Sequence, residues 1–74
     1  VVSTTIPFYI PHKGKVHISI INASGRNITT LSNKVMQAGQ HEITWNAGRV
    51  GGGMYYCKIY FEGKVQSRAI VLQR

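Results

Sequence analysis

Apolar residues recur at every second position along most of this chain, and a period of two is the spacing of side chains on one face of a β-strand. In Ser3–Ile10 the alternation puts Ile6, Phe8 and Ile10 on one side. Pro7 in that run marks an edge strand, because proline has no N–H to give to a ladder. Pro11-His12-Lys13-Gly14 reads as a turn. Lys15–Ile21 is the cleanest strand, with Val16, Ile18 and Ile20 pointing one way and His17 and Ser19 the other. Asn22-Ala23-Ser24-Gly25 then supplies the residues of a tight turn, so the second and third strands are expected to form a hairpin closed by Gly25.

Asn27–Leu31 is less regular. Ile28 and Leu31 lie three apart, which strict alternation forbids, and a bulge or an early end near Thr30 would account for it. Residues 32–38 carry little pattern and read as a connection between sheets. Gly39–Trp45 alternates again, placing His41, Ile43 and Trp45 on one face, with Trp45 the largest core anchor in the chain. Gly51-Gly52-Gly53 then opens into Met54–Phe61, the most aromatic run, which reads as a central strand covered on both faces. Glu62-Gly63 is a two-residue turn into the last strand, Lys64–Leu72. There Val65, Ser67, Ala69 and Val71 form the expected inner face, leaving Gln66, Arg68, Ile70 and Leu72 outward.

Six short strands at this spacing, with no amphipathic helix, predict an all-β fold: an immunoglobulin-like antiparallel β-sandwich of about six to seven strands. A chain of 74 residues can bury only a small core, so residues 1–74 are expected to be one domain, a fragment of a longer secreted protein. No signal peptide opens it, which places any export signal upstream.

Composition removes more functions than it adds. Nine Lys and Arg face two acidic residues, a formal charge of +7, but the basic residues are spread one or two per element. That distribution argues for a solvated basic surface and against a specific nucleic-acid site, and no stretch predicts membrane insertion. Glu42 and Glu62 are the only carboxylates, and they fall on different elements. His12, His17 and His41 lack ligand spacing. Cys57, the single cysteine, has the parity of a small buried residue. The glycine run precedes a strand, whereas phosphate-cradling loops open a helix. Neither an enzyme, nor a metal, nor a cofactor is expected. Asn22 and Asn27 each begin an N-glycosylation sequon, a pattern that also arises by chance. A carbohydrate-binding module is a weaker reading, because it needs a planar row of exposed aromatics and only Tyr56 and Tyr60 share an outward parity on one strand.

Several segments taken in order resemble a known family. They are Val16–Ile28 with its Gly25-Arg26 hairpin, the Gly39-x-His41-x-x-x-Trp45 segment, the Gly53-x-Tyr55 strand, and the basic and apolar run from Lys64 to Arg74. Together these are similar to the C-terminal sorting domain of the type IX secretion system, and to the Ig-like domain of flagellar hook-capping proteins. The family's Asn-Pro-rich opening is replaced by Val1-Val2.

The resemblance implies a non-catalytic sorting signal at the end of a cargo protein. Its implied partners are the outer-membrane translocon, shuttle and sortase proteins, together with the N-terminal cargo domains of the same chain. The implied route runs through the periplasm to the cell surface or the medium, with possible removal of the signal on the way. Gly25, Arg26 and the stretch from Lys64 to Arg74 match the family's recognition regions. Within that stretch the expected docking surface comprises Ile70 and Leu72, flanked by Arg68 and Arg74. The alternative is a structural or adhesive module retained at the end of a surface or hook-cap protein.

Overall fold

Strands form where the alternation runs, and turns where Asn, Gly and Pro interrupt it. The computed structural model describes residues 3–48 and 51–72. In it β1 is Ser3–Ile10, β2 Gly14–Asn22, β3 Asn27–Met36, β4 Gly39–Asn46, β5 Gly53–Phe61 and β6 Lys64–Leu72. Two antiparallel sheets face each other, β1-β4 and β3-β2-β5-β6. This is the predicted all-β sandwich, with six strands among the described residues. As expected, β1 is an edge strand and β5 is interior to its sheet.

Residues 3–46 form one long hairpin bent double. From the turn after Asn22, β2 and β3 pair up to Gly14 opposite Met36. Beyond a corner at 11–13 and 37–38 the same two arms continue as β1 and β4, with Ile10 opposite Gly39 and Ser3 opposite Asn46. One ladder therefore supplies strands to both layers. The corner depends on two glycines. Gly39 has φ +123°, which L side chains rarely adopt, and a Cβ on Gly14 would come 2.7 Å from the Phe61 ring.

At the tip of this hairpin Asn22 organises the turn. Its side-chain oxygen accepts from the backbone N–H of Ser24 at 3.0 Å and of Arg26 at 2.9 Å. The Gly25 N–H reaches the Asn22 carbonyl at 3.0 Å, with Gly25 at φ +88°. Asparagine suits this position because its short amide can mimic a backbone turn.

The third strand is longer than its sequence pattern predicts. Residues 32–36 continue β3, and the crossing between sheets shrinks to Gln37 and Ala38. The register slips between the partners of Ile18 and Ser19, which face Ser32 and Thr30, so Leu31 is the extra residue of a bulge. That bulge resets the parity and hides the second half of the strand from a period-two reading.

The core is contiguous. Ile6, Phe8 and Ile10 of β1 and Trp45 of β4 are buried together with Val16, Ile18 and Ile20 of β2 and with Tyr55, Cys57 and Ile59 of β5. Burying side chains of this size stabilises by about 1.5–3 kcal/mol each. The Trp45 and Tyr55 rings meet edge to face, with centroids 5.3 Å apart, and the Tyr55 hydroxyl donates to the Gly51 carbonyl at 2.6 Å.

Two expectations about faces are corrected. β5 is covered on one side only: Tyr56 and Lys58 are half-buried on the other, and Met54 and Tyr60 are exposed there. β6 has the opposite parity to that expected. Ile70 and Leu72 are buried, at 8% and 5% exposure, whereas Val65 and Val71 are open at 53% and 62%. The cause is register. The turn at Glu62 and Gly63, both with positive φ, sets Phe61 opposite Lys64, and this places Ile70 against Tyr55 and Leu72 against Gly53.

Cys57 is fully buried on the inner face. Burial pushes its thiol pKa up, and the nearby Arg68 charge opposes this only in part. The thiolate is the reactive form, so Cys57 in the folded chain should not react with a chromogenic disulfide reagent at pH 8. It should titrate promptly in denaturant, and prompt reaction under native conditions would refute the placement. Because the folded thiol holds its proton more tightly, this group adds no penalty below about pH 8.5. Above that value the unfolded chain ionises first and stability falls as pH rises.

Candidate functional site

Most of the inner face is apolar, but the first half of β6 is not. Lys64, Gln66 and Arg68 share the parity of Ile70 and Leu72, since they pair with Phe61, Ile59 and Cys57, yet all three are exposed. Ile70 and Leu72 join the buried cluster that holds Trp45 and Ala47. The two-stranded sheet does not reach over the rest of the strand. What is left is a groove of about 420 Å³ between the layers. Its floor is Ile59 and Phe61, one wall is Lys64, Gln66 and Arg68, and the other is the end of β1 at Tyr9, Ile10 and Pro11.

The groove is electrostatically one-sided. Among the described residues two cations line it, and no carboxylate does. The nearest acidic residue in sequence, Glu62, is held at the turn by His12, Nε2 to Oε1 at 2.9 Å. The His12 ring also leans on Phe61 at 5.2 Å, so the pair fastens the β1–β2 corner to the β5–β6 turn.

Each predicted site residue has a definite place. Gly25 and Arg26 are exposed at the β2–β3 tip, at the end of the sheet where Asn22 faces Tyr55. Lys64 lies at the far end of the sheet, opposite Phe61, and Arg68 further along the same face. The tip and the basic half of β6 are thus separate features, with β5 between β2 and β6. Ile70 and Leu72 are buried in the core and do not face outward as expected. Arg74 lies outside the described residues.

The histidines occupy three unrelated places. His12 binds Glu62. His17 meets Tyr60 edge to face at 5.6 Å on the outer surface. His41 stacks on Phe8 at 5.5 Å and its Nε2–H donates to the Gln37 carbonyl at 2.6 Å. Among the described residues no three His, Cys, Asp or Glu side chains converge as metal ligands would. Reasoning from sequence missed Tyr9, Pro11 and the Ile59–Phe61 floor as parts of one feature, because their proximity depends on how the two sheets overlap.

Residues 4–73 fit the family model described as "Secretion system C-terminal sorting domain". No curated protein matches the chain, and no solved structure does.

Proposed function

We propose, because this chain belongs to the family of type IX secretion-system C-terminal sorting domains, that it is the non-catalytic C-terminal unit of a longer secreted protein and addresses that cargo to the outer-membrane translocon. The observation that carries the reading is the extent of the family match, which runs from residue 4 in β1 to beyond the end of β6. In this proposal a shuttle and the translocon read the folded domain after periplasmic transit. A sortase then removes it as the cargo reaches the surface or the medium.

In this reading the motifs divide by role. Gly39 turns the corner, His41 ties that corner to Phe8 and Gln37, and Trp45 packs on Tyr55. Those residues build the sandwich. Residues left free for recognition are Gly25 and Arg26 at the hairpin tip and Lys64 and Arg68 on β6, while Ile70 and Leu72 hold β6 in place from beneath.

The test is export. Residues 1–74 are fused behind a periplasmic signal peptide and a fluorescent reporter in a bacterium with a type IX system, and its translocon mutant is the control. Reporter should reach the surface or medium only when the translocon is intact, shortened by the mass of the domain if a sortase has acted. A folded reporter that stays in the periplasm of both strains would overturn the sorting reading and favour a retained structural module.

A further inference from the structure

We infer that the groove along β6 binds an extended acidic segment of a partner protein, added as a strand to the free edge of β6 with its carboxylates turned inward. Three observations lead there. First, the groove lies between two strands that each have one neighbour among the described residues: β1 is bonded there only to β4, and β6 only to β5. An unpaired edge offers a row of backbone donors and acceptors to an incoming strand.

Second, the first half of β6 is inside out. Lys64, Gln66 and Arg68 share the inner face, and Val65, Ser67 and Ala69 the outer one, followed there by Val71. Directly opposed residues on antiparallel strands sit about 4.5–5.5 Å apart and interact in pairs. A strand laid beside β6 therefore meets cations on its inward side chains and valines on its outward ones. The complementary segment alternates Glu or Asp with Val or Ile. Third, charge favours it: among the described residues Lys64 and Arg68 have no carboxylate along the groove, on a chain of net charge +7. Inward charges on an edge strand also discourage unwanted pairing, but that role gives no reason for Val65 and Val71 to be open at 53% and 62%.

This inference deepens the sorting proposal by naming the chemistry of the partner, and it rests on the domain being read by another protein. It is tested without export, so failure of either experiment leaves the other standing. A dye-labelled peptide alternating Glu and Val over nine residues is titrated into the 74-residue chain, followed by fluorescence anisotropy and by amide chemical shifts. Binding should perturb residues 64–71 and the Tyr9–Pro11 wall. The double variant K64E/R68E, at exposed positions, should keep the native spectrum and lose about tenfold or more in affinity.

A peptide of the same composition with its Glu and Val residues in blocks separates recognition from charge alone. Equal binding of the block peptide, shifts scattered over Arg26, Lys34 and the other basic positions, equal competition by duplex DNA, or no binding at all would each overturn the inference.

Discussion

Replacing Ile70 and Leu72 together by serine abolishes the cooperative thermal transition of this domain, whereas the double variant V65S/V71S melts within a few degrees of the parent. Truncating a buried Ile or Leu costs about 2–5 kcal/mol. Leaving a hydroxyl unsatisfied in its place costs about 1–3 kcal/mol more. A domain of this length has roughly 4–11 kcal/mol of total stability, so the pair of inner substitutions exhausts it. Val65 and Val71 stand in solvent, and surface changes of this kind stay within about 0.5 kcal/mol. Circular dichroism during heating distinguishes the two cases, and a normal melt for I70S/L72S would refute the placement of β6. The result also governs how export data are read. Loss of secretion in I70S/L72S reports loss of the fold, and only variants at Arg26, Lys64 or Arg68 report recognition.

Trp45→Ala is the most damaging single change expected, at about 3–5 kcal/mol. The indole is 3% exposed and joins β4 to β5 across the sandwich through its edge-to-face contact with Tyr55. Such aromatic pairs contribute about 0.5–1.5 kcal/mol beyond the area they bury. Trp45→Phe keeps a ring in the site and should recover most of the loss. Urea unfolding followed by circular dichroism measures both, since the variants lack the fluorophore. Equal midpoints for W45A and the parent would mean that the sheets are held together elsewhere.

Strand positions were legible because each hairpin carries its own punctuation. Asn22 to Gly25 and Glu62-Gly63 mark turns in the sequence and form turns in the fold. Ile6, Phe8, Ile10 and Trp45 could be assigned to the core from alternation alone. The second half of β3 was hidden by the bulge at Leu31, a single inserted residue that inverts everything after it.

The β6 error is more instructive. Judged by its own composition, the strand has apolar residues on both parities, and Val65, Ala69 and Val71 outnumber Ile70 and Leu72. Register decides otherwise, and it could be counted in advance. A two-residue turn after Phe61 forces Lys64 opposite it and Ile70 opposite Tyr55. The groove could not be counted in this way, because it exists where one sheet ends short of the other, and no single strand records the width of its neighbour's layer.

The doubled-over hairpin has a kinetic consequence. Strands β1 and β4 lie 39 residues apart at Thr5 and Thr44, a separation that would ordinarily make their pairing a slow search. Once the Asn22 turn has closed, each pair zipped along β2 and β3 brings the next pair together, and through the corner this proximity passes to Ile10 and Gly39. The entropy of loop closure is therefore met mostly at one five-residue turn, Asn22 to Arg26. The remaining long-range encounter is the docking of this long hairpin onto β5–β6 along β2, and contact-order reasoning assigns the slow step of folding to that pairing.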